Sequence, residues 1–75
     1  MNNARRAEIL GVIHQLEDLR DKLEYIKSDE EDYQENIPEN LIGSDKFNES
    51  VKWVVWLEDA VSDLDFTIEG LEQAG

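Results

Sequence analysis

Apolar residues recur along this chain in two stripes separated by a polar break. The first stripe is Ile9, Val12, Leu16, Leu19, Leu23 and Ile26, and the second is Val54, Leu57, Val61, Leu64, Ile68 and Leu71. The steps alternate three and four residues, which sets each stripe on one side of a helix. The pattern predicts an all-α fold, an antiparallel two-helix hairpin forming a single domain over residues 1–75. The expected helices cover about 3–33 and about 45–73, with a connector over about 34–44. Leu10 and Ile13 widen the first apolar face.

Local signals support these boundaries. Asn2 or Asn3 can cap the first helix, and Gly11 inside it is tolerated at a cost of about 1 kcal/mol relative to Ala. Continuing the first heptad leads to Glu30, a charge at a seam position, so weaker packing is expected toward that end. From Ser28 to Asn40 the chain holds six acids and no base. Pro38 disfavours helix at Ile37 and can open a short turn over Glu39 to Ile42. Gly43, Ser44 and Asp45 then supply turn and capping chemistry for the second helix. Ile37, Leu41 and Ile42 are expected to fold over this end as a plug beside Tyr33 and Phe47.

Size makes such a hairpin thin. A 75-residue chain of two helices has little core, and chains of this length usually rely on disulfides, a metal or a partner. With no Cys and one His, disulfides, thiolate sites and His-rich metal sites are excluded. Association with a second copy or with another protein remains. The double tryptophan points the same way. At about 100° per residue, Trp53, Trp56 and Ala60 extend the second helix's apolar face to one side of its seam. Val55 and Phe66 lie near the opposite side. One facing helix cannot cover so broad a surface, and each aromatic can remove on the order of 150–250 Å² from water. These five residues are the candidate interface. The expectation is a homodimer of hairpins forming a four-helix bundle. Docking to another protein, or burial of both indoles within one hairpin, are the alternatives.

Charge changes the picture further. Nineteen acidic against seven basic residues give a net charge of −12, which argues against direct binding to nucleic acid or an anionic membrane. On the second helix Glu58, Asp65, Glu69 and Glu72 fall within roughly 60° of one another. This row is the candidate acidic face for a basic partner, and its spacing of several ångströms allows it to mimic DNA phosphates. The alternative is that the acids only keep the protein soluble. Nothing after Lys52 is basic, so the second helix ends with acids that oppose its macrodipole. Arg5 and Arg6 are expected to meet Glu69 and Glu72 across the hairpin, although exposed pairs contribute little.

Catalytic chemistry is not legible. His14 has no nucleophile or paired carboxylate at a suggestive spacing and reads as a solvated imidazole. Asp29, Glu30, Glu31 and Asp32 lack the spaced ligands and turn glycine of a calcium loop. Ser28 before three acids resembles an acidophilic kinase site only weakly. No glycine-rich phosphate loop is present. The reading is a non-enzymatic protein with no cofactor and no metal. Met1-Asn2-Asn3-Ala4-Arg5-Arg6 is not followed by a continuous apolar run, and no stretch reaches the roughly 20 apolar residues of a membrane span, so a cytoplasmic location is expected.

The segment Glu30-Glu31-Asp32-Tyr33-Gln34-Glu35-Asn36-Ile37-Pro38-Glu39-Asn40-Leu41, followed by Ser44, resembles a group of small, mostly uncharacterised acidic helical proteins of bacteria and their phages. They carry an acidic helix, a connector similar to Asn36-Ile37-Pro38-Glu39-Asn40-Leu41, and a second helix rich in Leu and Glu. The resemblance implies a bacterial or phage origin and no particular activity. Trp53-Val54-Val55-Trp56 departs from the second helix usual in that group. Together these readings predict a small regulatory or inhibitory protein that occupies a basic, nucleic-acid-binding surface of a partner. The alternative is a structural or assembly adaptor.

Overall fold

In a computed structural model, which describes residues 1–73, the chain is a helical hairpin. Helix α1 covers Asn3–Glu35, a 3-10 turn covers Glu39–Leu41, and helix α2 covers Asp45–Gln73. The predicted second helix and the turn after Pro38 are present. The first helix ends at Glu35, close to its expected end. Asn2 starts α1, its side-chain oxygen accepting the Arg5 amide at 2.8 Å. Asn36 ends it, donating through its side-chain amide to the Asp32 carbonyl at 2.9 Å. Pro38 then opens the turn, its carbonyl accepting from Leu41 N at 2.8 Å. Gly43 takes φ 92°, a left-handed conformation suited to glycine. Ser44 follows, and its hydroxyl accepts the Phe47 amide at 3.3 Å.

The hairpin is a rod of 60 × 14 × 13 Å with a radius of gyration of 17.3 Å. A compact 75-residue domain has a radius of about 11 Å. The accessible surface is 5812 Å², against roughly 4,700 Å² for a compact monomer of this mass. Rod geometry therefore leaves roughly 1,100 Å² more surface wet than a globule would. Among the described residues, only Ile13 and Ile68 are buried apolar side chains, at 5% and 4% exposure.

The seam of α2 is the predicted one. Val54, Leu57, Val61, Leu64, Ile68 and Leu71 are all half-buried or buried, and Phe47 and Ser50 continue the same heptad toward the turn. The seam of α1 differs from the expectation. Its shielded positions are Ile9, Ile13, Leu16, Glu17, Arg20, Leu23, Lys27, Glu30 and Gln34. Val12, Leu19 and Ile26, expected in the seam, expose 46%, 51% and 50% of their surface. The helix is turned by about 50° from the expected orientation, so that Ile13 replaces Val12 and cations replace Leu19 and Ile26. This rotation places Arg20 and Lys27 where they bond carboxylates of α2, at 2.8 Å to Asp65 and 3.5 Å to Glu58.

This substitution makes the hairpin uneven. At the open end Ile9, Ile13 and Leu16 shield Ile68 and Leu71, whereas toward the turn α1 offers Lys27, Glu30 and Gln34. There Gln34 Nε2 and the hydroxyl of Ser50, itself 2% exposed, are buried without a hydrogen-bond partner among the described residues. Such groups cost about 1–3 kcal/mol each, so the turn end is the weaker half. The expected plug is also incomplete. Ile37 and Phe47 are half-buried, but Leu41 and Ile42 lie exposed because the 3-10 turn carries them past the helix ends. Ile13→Ala is expected to destabilise the hairpin by about 2–4 kcal/mol, and Leu10→Ala by under about 1 kcal/mol. Urea unfolding monitored by circular dichroism checks the contrast, and equal losses would place the seam elsewhere.

Candidate functional site

Two ion pairs between α1 and α2 mark one long flank of the hairpin. Arg20 Nη1 bonds Asp65 Oδ1 at 2.8 Å, and Lys27 Nζ lies 3.5 Å from Glu58 Oε1. Both pairs lie on the same flank. Asp21 adds a second contact to Arg20 at 3.3 Å, and Glu31 to Lys27 at 3.7 Å. The hydrogen bond that Arg20 donates to Asp65 is the main cause holding its guanidinium pKa above the ordinary value, opposed by partial desolvation. A shallow groove beside the second pair is lined by Glu24, Lys27, Glu31, Glu58 and Asp59. This flank is predominantly acidic.

The opposite flank is apolar. On α1 it presents Val12, Leu19, Ile26 and Tyr33 at seven-residue intervals, each between 46% and 51% exposed. On α2 it presents Trp53, Trp56 and Ala60. Tyr33 and Trp53 line one groove together with Lys46, Glu49 and Ser50, which joins the two helices' contributions into a single surface. The indoles of Trp53 and Trp56 pack edge to face with centroids 5.0 Å apart and planes at 86°. This geometry stabilises aromatic pairs and stiffens the pair as one unit. Both indoles remain about half exposed, at 49% and 55%.

The charges around the apolar flank are of mixed sign. By helical phase its rim carries Arg5, Lys22 and Lys46 with Glu8, Asp29, Glu49 and Asp63, and Glu30 lines the groove shared by Tyr33 and Trp53. The chain's large acid excess therefore lies mostly on the other surfaces.

The sequence-predicted residues divide accordingly. Trp53, Trp56 and Ala60 share the apolar flank. Val55 and Phe66 do not join them: they lie on the outer side of α2, where Phe66 is 79% exposed. Of the proposed acidic row, Glu58 and Asp65 already bond cations of α1, which leaves Glu69 and Glu72 as its carboxylates without an ion pair among the described residues. The expected pairing of Arg5 and Arg6 with Glu69 and Glu72 is not formed. Arg6 and Glu72 instead line an apolar groove with Ile9, Leu10, Ile13 and Leu71 at the open end. His14 is exposed, as expected. Among the described residues there is no group of His, Asp and Glu suited to a metal ion, and no helix long and apolar enough to cross a membrane.

The exposure of the α1 half of the apolar flank was not legible in the sequence, because its residues read equally well as seam. One signal would have separated the two. Arg20 and Lys27 are seven residues apart, as are Glu58 and Asp65, so an antiparallel hairpin brings both pairs together at one rotation. Comparison with protein families, curated proteins and solved structures finds no match. The interpretation of the flanks therefore rests on their own chemistry.

Reversing Glu58 and Asp65 to Lys is expected to lower the melting temperature by placing cations against Lys27 and Arg20. Reversing Glu69 and Glu72 is expected to leave it unchanged or raise it slightly, since cations favour a helix C-terminus. Thermal melts of the two double variants distinguish them, and the opposite order would contradict the ladder.

Proposed function

We propose that this chain is a non-enzymatic protein-binding module. It self-associates through its apolar flank into a four-helix bundle and offers its acidic flanks to a basic partner protein. The observation that carries this reading is the division of one hairpin into an apolar flank with a rim of mixed sign and a flank dominated by carboxylates. On α1 the apolar flank runs about 31 Å from Val12 to Tyr33, and α2 adds Trp53, Trp56 and Ala60 beside its turn-proximal half. A second copy suits this surface, because two copies meeting there avoid juxtaposing their strongly acidic sides. A bundle formed in this way points those sides outward.

A regulatory or inhibitory role on a basic, nucleic-acid-binding surface fits such an exterior. It also accords with the small acidic proteins of bacteria and phages that the connector resembles. Partial neutralisation of Glu58 and Asp65 favours the second reading, an assembly adaptor whose acidity serves solubility.

Trp53→Ala combined with Trp56→Ala is expected to convert a dimer to monomer. An unchanged mass in sedimentation velocity would refute the assignment of the indoles. Binding to a basic partner captured from host extract is expected to weaken at least tenfold between about 50 and 200 mM salt if carboxylates replace phosphates. Salt-insensitive binding would favour the adaptor.

A further inference from the structure

Helix α1 carries two overlapping seven-residue frames that share Ile9, Leu16 and Leu23. One frame adds Ile13, Arg20, Lys27 and Gln34, and the other adds Val12, Leu19, Ile26 and Tyr33. A turn of about 50° around the helix axis exchanges them. Apolar burial alone favours the second frame, in which every added side chain is aliphatic or aromatic. The structure adopts the first. The positions peculiar to that frame are the ones that bond across the hairpin, Arg20 to Asp65 at 2.8 Å and Lys27 to Glu58 at 3.5 Å. Turning α1 into the other frame moves both cations away from α2 and swings Leu19, Ile26 and Tyr33 inward.

We infer that the Arg20–Asp65 and Lys27–Glu58 ladder is a selector. It fixes the rotation of α1 so that Val12, Leu19, Ile26 and Tyr33 remain outward as half of the surface a second copy covers. The inference rests on the self-association proposed above. Ion pairs at a wet surface contribute little on their own, and they are a weak replacement for the burial of three large apolar side chains. A second copy covering the apolar flank supplies the missing burial, so the ladder and the dimer support one another. Without the ladder, the isolated hairpin gains more by turning its greasy stripe toward α2. The dimer then loses the α1 half of its interface.

The experiment is sedimentation velocity with circular dichroism on the full chain. Wild type is expected to be dimeric. Arg20→Gln with Lys27→Gln is expected to raise the dimer dissociation constant about tenfold. Arg20→Glu with Lys27→Glu is expected to be monomeric at concentrations where wild type is dimeric, with helix content unchanged. Adding Asp65→Arg and Glu58→Lys restores opposite charges and the original net charge, and is expected to restore the dimer. Arg6→Gln with Lys52→Gln alters net charge as much as the first pair, away from the ladder, and is expected to dimerise like wild type. A fully helical Glu pair with wild-type mass overturns the inference. If the Glu pair loses helix, the Gln pair decides, and an unchanged dissociation constant overturns it. Equal weakening by the Arg6 and Lys52 pair also overturns it, because net charge then suffices. A monomeric wild type defeats the self-association reading itself, an outcome distinct from a dimeric wild type with equally dimeric ladder variants.

Discussion

A helix can turn only part of its circumference toward one neighbour, and two helices therefore cover only one strip of each other. Every notable feature of this chain follows from having more apolar circumference than that strip accommodates. α2 directs Val54, Leu57, Val61, Leu64, Ile68 and Leu71 at its neighbour and has Trp53 and Trp56 left over. α1 has two apolar rows, and Leu16 and Leu23 flank both. With Ile13 and Ile68 the only buried apolar side chains among the described residues, the hairpin has little core of its own, and hydrophobic stabilisation scales with area removed from water. The surface left uncovered is the dominant unsatisfied term in its energetics.

Electrostatics then decides which surface is left over. Arg20 and Lys27 have long aliphatic stems that lie along a half-buried seam while their heads reach carboxylates of the other helix. The arrangement fixes register as well as rotation, because both pairs repeat at the same interval along antiparallel helices. Buried or half-buried polar groups serving specificity at the expense of stability are known from coiled coils. The orphaned Gln34 and Ser50 groups near the turn extend the polar character of the seam. They make that half the first to open, and Trp53 and Tyr33 stand beside it.

The hairpin, its connector and the whole seam of α2 were legible in the sequence because each rests on a single unambiguous signal. Pro38 and Gly43 mark the turn, and only one apolar heptad runs from Val54 to Leu71. The seam of α1 was not, since hydrophobic periodicity cannot choose between two adjacent apolar rows, and the charged residues that choose are ones periodicity counts as outside. The exposed apolar flank was half legible. Trp53, Trp56 and Ala60 stood out as surplus to α2, whereas Val12, Leu19, Ile26 and Tyr33 were absorbed into a seam they do not form. The acidic row was read from one helix alone, and so the cations of α1 facing Glu58 and Asp65 went unseen.

An apolar flank with a rim of mixed sign on a protein of net charge −12 gives the surface a direction: association there, acid outward elsewhere. The account depends on that flank being covered in solution. Sedimentation equilibrium of the unmodified chain over a wide concentration range measures this most directly. The account predicts twice the 8.7 kDa chain mass at micromolar concentration, with dissociation on dilution. A single chain mass throughout, from a stably folded protein, would contradict it.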